Sequence, residues 1–380
     1  MNVADFECFV VTHFLSPRTG PSIACSSEHA YVLVRLQDES GAVGWGETYR
    51  TPGALQTIES VCRALVGREG SLRELLRETR WMGGGLAGGG FASSAVALAL
   101  EELRARQLGL SVSEMYGGPM RTRVRPYAAS GGYVEDEDPA VTWPRELERA
   151  LEAGFTALKL RVGRDPIAHE APLLAELRDR APSGFELMAD GNAAYSLPDA
   201  IRMGRVLEEL RFRWYEEPME QRGGYVGYDR LTATLDIALA GGEGSLSRVD
   251  ALRLLARGAV DVIQPDPVIC GGVGDALAIA DLAVLHGATT VPHASNNAIG
   301  IAASLQIVAT LADSTRSPSV PDPLLEYGID ENPNRERCLR EPLRMVDGWI
   351  DVPSGPGWGV DVDEEFLRAN AVEHLRGSSG

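Results

Sequence analysis

Of the 36 lysine and arginine residues in this chain, a single one is lysine, Lys159. Other scarcities exclude whole classes of protein. No apolar run approaches the roughly 20 residues that span a bilayer. Met1 to Val11 carries acidic residues where a secretory signal would be positive. The expectation is a cytoplasmic protein with no membrane partner. The cysteines, Cys8, Cys25, Cys62, Cys270 and Cys338, are odd in number, scattered and without a C-x-x-C pair, which argues against a disulfide framework and a zinc site. Positive charge is also short. A net charge of -18 leaves no basic face for phosphates, so nucleic acid is excluded as a partner. A small anionic substrate would need local positive charge, from a metal ion or from Lys159.

That lysine sits in an apolar, strand-like run, Thr156 to Val162. In strand geometry Lys159 and Arg161 share one face while Leu158, Leu160 and Val162 take the other. A basic pair ending a strand at the surface is one reading. A compact amine with a tunable pKa working in a pocket is the other, and the solitary lysine favours it, because guanidinium stays charged at any working pH.

At 380 residues the chain is long enough for two domains or one large barrel with an attachment. From Phe6 to about Thr48 the pattern alternates: Ala30 to Leu36 and Val43 to Glu47 flank a turn at Gln37 to Gly41 and read as antiparallel strands. Leu15 to Ser26, rich in Ser, Pro and Gly, reads as a mobile loop. Helical patterns follow at 54–66, 71–79 and 93–108. The glycine clusters Gly83 to Gly85 and Gly88 to Gly90 lack the ending of a phosphate loop and read as a flexible connection. Residues 1–122 thus form an α+β unit.

After Arg123, short apolar strands are expected at 124–130, 156–162, 185–190, 214–217, 237–241, 260–265, 289–292 and 324–327. Helices between them include 143–153, 198–210, 248–257 and 274–286. Strand–helix alternation repeated about eight times points to a parallel (β/α)7-8 TIM-type barrel over 123–328, with an open doubly wound sheet as the alternative. The remainder, 329–380, has a hairpin-like piece at 343–352 and a Pro-Gly-Trp-Gly turn at 356–359. It is expected to fold back onto the first unit, and its terminal Gly-Ser-Ser-Gly reads as a disordered tail.

Three expected strands end in a carboxylate: Asp190, Glu216 and Glu243. Glu216 follows Asp190 by 26 positions and Glu243 follows Glu216 by 27. Acids one barrel repeat apart converge at the mouth where active sites of this fold sit. Crowded carboxylates repel, so a divalent ion is the economical resolution, and all-oxygen ligation favours Mg2+, with Mn2+ as a substitute. Separately, each acid could be a turn cap or a solvated surface group. Glu217 is ambiguous; strand alternation turns it away from Glu216. The next two strands end in Asp266 and His293. Asp266 could bond one imidazole nitrogen and raise the basicity of the other. A His–Asp pair across from Lys159, with a metal between, is a site for removing a proton from carbon.

This ordered set resembles the enolase superfamily in its mandelate racemase/muconate lactonizing enzyme branch. The likeness runs through Ala95 to Leu108, Met115-Tyr-Gly-Gly118, the Lys159-x-Arg161 strand, the three acids, Gln264-Pro-Asp266 with Gly271-Gly272, His293, and Leu325-Glu326-Tyr327 with Asn332-Pro333. The resemblance implies a capping domain over the barrel, Asp190, Glu216 and Glu243 as magnesium ligands, and a substrate carboxylate on that ion. It implies His293 with Asp266 as the general base and Lys159 as the group polarising the substrate carboxylate. Glu326 would hydrogen-bond the enediolate, beyond a long loop at Ser314 to Pro323, and Asn192 would line the pocket. A symmetric homo-oligomer is the expectation. Arg161 departs from the family's Lys-x-Lys pattern, and guanidinium, with a pKa above about 12, is a poor base. Racemisation needs a base on each face of the substrate; dehydration needs one. The expected activity is therefore a magnesium-dependent acid-sugar dehydratase acting on an aldonate or aldarate. A racemase, epimerase or cycloisomerase, and a non-catalytic metal-binding barrel, are the alternatives. Specificity is expected from capping loops 13–25 and 49–52, with His13, Arg18, His29 and Arg50 as candidate substrate contacts.

Overall fold

A computed structural model describes residues 1–84, 88–130, 132–221, 224–312 and 324–378. Gly85, the loop from Ser314 to Pro323 and the end of the terminal Gly-Ser-Ser-Gly lie outside these residues. The chain opens with β1 (Val3–Gly20), β2 (Ser26–Asp38) and β3 (Val43–Tyr49), then α1 (Ala54–Leu65), α2 (Leu72–Gly83), α3 (Gly89–Leu108) and α4 (Val112–Met115). β1 pairs antiparallel with β2, and β2 with β3. Alternation gives the sheet two buried faces. Phe6, Cys8 and Val10, with Val32, Val34 and Leu36 opposite, pack under the helices. Phe9, Val11, Tyr31 and Leu33 join the core that continues into the second unit.

The Gly-Trp-Gly-Glu of β3 sets the distance to α3. A Cβ at Gly44 would stand 2.1 Å from the Ala99 carbonyl oxygen, and one at Gly46 1.8 Å from that of Ala95. Only glycine lets the helix backbone lie this close, and the alternate residues, Trp45 and Glu47, then face the barrel.

The sequence reading of Leu15 to Ser26 as a loop needs correcting. β1 continues to Gly20 past an irregularity between Phe14 and Thr19, and Thr19 pairs with both Ser26 and Val134. The unpaired backbone of a Pro-containing segment is satisfied by a neighbour far away in sequence, which local composition cannot reveal.

The second unit runs β4 (Arg123–Ala129), β5 (Tyr133–Val134), α5 (Pro139–Glu152), β6 (Ala157–Arg161), α6 (Ile167–Arg180), β7 (Glu186–Asp190), α7 (Leu197–Glu209), β8 (Trp214–Glu216), α8 (Tyr228–Thr232), β9 (Ala238–Gly241), α9 (Arg248–Leu255), β10 (Val262–Ile263), α10 (Val273–Leu285), β11 (Thr289–Thr290), α11 (Ala298–Thr310) and β12 (Leu324–Gly328). Parallel neighbours follow the order β11-β10-β9-β8-β7-β6-β4-β12. One interior cluster draws a residue from each of these strands or its immediate end: Tyr127, Ala157, Met188, Trp214, Ala240, Val262, Val291 and Leu324. This is a filled TIM-type barrel with a capping domain. At the β11/β12 seam the Ala294 N–H donates to the Glu326 carboxylate at 3.1 Å.

The tail serves both units. After α12 (Pro333–Arg337), β13 (Ile350–Asp351) pairs with β4; after α13 (Glu364–Asn370), β14 (Glu373–Ser378) pairs with β1. The five cysteines are free, and no described helix is long and apolar enough to cross a membrane.

Two buried acids lock the cap to the barrel. Glu47 of β3 accepts from the N–H groups of Asn297, Ile299 and Gly300, the open end of α11. Glu101 of α3 accepts from Val273 and Gly274, the open end of α10. Each satisfies orphan donors and meets the positive end of a helix dipole. Burial pushes Glu47 from about 4.5 to about 8 against the pull of those N–H groups. A raised acid makes the folded state bind more protons than the unfolded one between these values, so its contribution to stability falls as pH rises through that window. Melting curves of wild type and Glu47→Gln from pH 5 to 8 test this: the wild type should lose more stability with rising pH than the variant, and parallel profiles would refute it.

Candidate active site

Six of the eight interior residues of the barrel are followed two positions later by a polar one, so a period of two carries the strand face out of the apolar core and into the mouth. Ala157 leads to Lys159 and Arg161, Met188 to Asp190, Trp214 to Glu216, Val262 to Gln264 and Asp266, Val291 to His293, and Leu324 to Glu326. Glu243 arrives differently. Gly242, at φ +103°, breaks the alternation after β9.

Lys159, with its side chain 1% exposed, is 2.7 Å from Glu216 Oε1, 2.8 Å from Glu326 Oε1 and 3.8 Å from Asp190 Oδ2. Burial disfavours its charge, yet Glu216 and Glu326 outweigh that and hold the amine well above its ordinary value. It is thus held as an ammonium between these carboxylates. Glu326 is pushed up by burial and pulled down further by Lys159 and His293, to about 2; it is an acceptor only. Arg161 pairs with Asp190 and donates to Asn192 Oδ1 at 3.0 Å. Asn192 in turn holds Asp190 through its backbone N–H at 2.8 Å.

Opposite, His293 Nδ1 lies 2.8 Å from Asp266 Oδ2. Asp266 also accepts from the Val268 N–H at 3.0 Å, Asn296 Nδ2 at 3.3 Å and the Tyr49 hydroxyl at 2.9 Å. The other imidazole nitrogen, Nε2, faces Glu243 Oε2 at 3.3 Å and Glu326 Oε2 at 3.9 Å. Burial opposes a charge on His293, but Glu243, Glu326 and Asp266 outweigh it and raise its pKa well above the usual value.

Glu217 differs from the sequence expectation. It sits at φ +38°, outside strand geometry, and its carboxyl is raised by burial and then by the charges of Glu243, Asp190 and Glu216. The turn leaving β8 therefore brings it back among the acids.

For a divalent cation the donor set is all oxygen: Asp190, Glu216 and Glu243, with Glu217 beside them. Glu243 Oε2 and Glu217 Oε1 are buried without a hydrogen-bond partner. As the side chains stand, no three of the described His, Cys, Asp and Glu residues are gathered as a ligand shell, and Lys159 and Arg161 contact Glu216 and Asp190. The chemistry of the donors fits Mg2+.

Several participants were not singled out from the sequence. Gln264 Nε2 donates to Glu216 Oε2 at 2.8 Å and Trp214 Nε1 does so at 3.3 Å. Gln264 is legible after the fact as the same-face residue two before Asp266; Tyr49 and Asn296, reaching the dyad from the cap and a loop, leave no such signal. Of the capping candidates, His13 and His29 line a cavity of about 700 Å³ that also includes Arg161 and Ser295. Arg18 and Arg50 lie elsewhere. Arg18 donates to Glu135 and the Cys25 carbonyl, and Arg50 pairs with Glu373 and Glu28 at the surface.

Residues 9–117 match the mandelate racemase/muconate lactonizing enzyme N-terminal domain and residues 143–366 the enolase C-terminal domain-like family. The chain belongs to the mandelate racemase/muconate lactonizing enzyme family of the enolase superfamily, and it is an enzyme of that superfamily. It is 31% identical to D-galactarolactone cycloisomerase of Agrobacterium fabrum, over 94% of this chain and 97% of that one. It is 27% identical to arabinonate dehydratase of Saccharolobus solfataricus, over 88% and 90%. The crystal structure of 3,6-anhydro-D-galactonate cycloisomerase from Zobellia galactanivorans superposes with a TM-score of 0.86 at 27% identity, covering 98% of this chain and all of that one.

Removing the ammonium would strand buried carboxylates. Lys159→Met should lower unfolding stability in urea, without added divalent cation, by about 3–5 kcal/mol; an unchanged midpoint and slope would mean that the acids do not depend on it.

Proposed function

We propose that the protein is a magnesium-dependent acid-sugar dehydratase that converts an aldonate or aldarate to its 2-keto-3-deoxy acid. The observation that carries this is the His293–Asp266 dyad, 2.8 Å apart, facing a fixed ammonium across the mouth while the second basic position of the Lys159 strand is an arginine held by Asp190 and Asn192. Only one face of the substrate thus has a titratable base. The curated relatives include dehydratases of arabinonate, gluconate and galactonate, and their acid-sugar chemistry fits this pocket.

His293 Nε2 takes the α-proton, and the carboxylates around it make that nitrogen a strong acceptor. Asp266, bonded to Nδ1, fixes the tautomer and supports the imidazolium. Lys159 stands where negative charge develops on the substrate carboxylate, and its own counter-ions keep it in place. The imidazolium then returns its proton to the departing β-hydroxyl on the same side, so water leaves and the enol tautomerises to the 2-keto product. A divalent cation held by Asp190, Glu216 and Glu243 supplies further positive charge against the substrate carboxylate when bound.

A cycloisomerase is the second reading, favoured by the similarity to two cycloisomerases. The same proton removal with a β-oxygen that stays tethered through a ring opens the ring without losing water. Incubation of the protein and magnesium with mono- and diacid sugars and their lactones separates the two: a 2-keto-3-deoxy product lighter by one water supports dehydration, and an isomer of unchanged mass supports ring opening. With the best substrate, His293→Asn should cut turnover by about 10²–10⁴-fold. Full turnover by a folded His293→Asn protein would remove both readings.

A further inference from the structure

Resting on the acid-sugar reading above, we propose that the end of the substrate remote from the reacting carbon is a second carboxylate, received by Arg335, His29 and His13. The substrate class is then the aldarates rather than the aldonates.

The cavity that contains Arg161 is also lined by these three side chains, His13 and His29 from the cap and Arg335 from the segment after β12. His13 and His29 are cross-strand partners in the β1–β2 ladder, so their rings arise from one place on the sheet. Arg335 comes from the opposite wall, in α12. It donates to the Asp330 carbonyl at 3.0 Å and lies over the Tyr327 ring, 5.3 Å from its centroid. That hold orients the guanidinium while using few of its five donors.

The other arginines of the cavity are already matched. Arg145 pairs with Glu137 at 3.0 Å and Arg149 with Glu146 at 2.9 Å, acids that line the same cavity. Asp330 and Glu331 also line the cavity, but among the described residues no ion pair holds Arg335, so Arg335 with His29 and His13 is the cationic group left to meet a ligand. They also crowd one another: the charge on His29 is disfavoured by burial first and then by His13 and Arg335. A carboxylate among them would relieve that repulsion and accept from each. In a chain of net charge -18, an arginine and two histidines together in the cavity that holds Arg161 favour an anionic terminus over the primary alcohol of an aldonate.

Binding is the readout, so that the outcome does not depend on which reaction follows. In the His293→Asn background with magnesium, calorimetry compares galactarate and glucarate with galactonate and gluconate. At least one hexarate should bind tenfold or more tighter than its matched hexonate. Arg335→Met should weaken that hexarate by about 10- to 100-fold, His29→Asn should weaken it by a smaller factor, and hexonate binding should change less than threefold. Absence of hexarate binding, equal affinity for the two classes, or equal losses in both on substituting Arg335 and His29 would overturn the proposal. A variant-sensitive hexarate preference with no water lost from any hexarate in the wild-type protein would uphold this site and remove the dehydratase reading. Dehydration of a hexonate with unchanged rate in Arg335→Met would do the reverse.

Discussion

Lys159 Nζ stands within 2.8 Å of two buried carboxylates, and the barrel mouth is arranged around that ammonium. Charges this far from water are tolerable only when matched. The mouth gathers Asp190, Glu216, Glu217, Glu243, Asp266 and Glu326 against Lys159, Arg161 and His293. Acids remain in excess, and that excess makes both a divalent cation and an anionic substrate bound with it electrostatically sensible. Arginine in place of Lys159 would bring a planar fork to a position where a compact ammonium already meets carboxylates from β8 and β12.

The cap is held by the same economy of buried charge. Glu47 and Glu101 reach out of the first unit to close the open ends of two consecutive barrel helices. β3 carries Glu47 and, at its last residue, Tyr49, which bonds the dyad aspartate. One strand therefore both docks the cap and touches the candidate site. The close approach of α3 at Gly44 and Gly46 is what turns that strand's other face toward the barrel.

Much of the candidate site was legible because a strand's period of two is a local property. The polar residue that follows an interior apolar residue by two positions falls at the mouth; Lys159, Asp190, Glu216, His293 and Glu326 obey that rule, and Asp266 continues the same face one step beyond Gln264. Where the backbone leaves strand geometry the rule stops. Glu217, at φ +38°, rejoins the acids that alternation had turned it away from. Leu15 to Ser26 carries loop composition, yet its first part is ladder because β5, more than 100 residues away, supplies a partner. Arg18 and Arg50 looked equivalent to His13 and His29 in sequence; ion pairs with Glu135 and Glu373 draw them off.

The sequence by itself determined the alternation of strand and helix, the spacing of three acids by one barrel repeat, the solitary lysine and the loss of a second one beside it. Those features depend on local period and residue chemistry, which neighbours in the chain decide. Only the tertiary structure decided that Lys159 is a locked ammonium, that Tyr49 and Asn296 complete the dyad, that Glu47 and Glu101 fasten the cap, and which cap residues face the cavity. Each of these depends on which distant group supplies a counter-charge or a hydrogen-bond partner, and burial sets how strongly that partner is required.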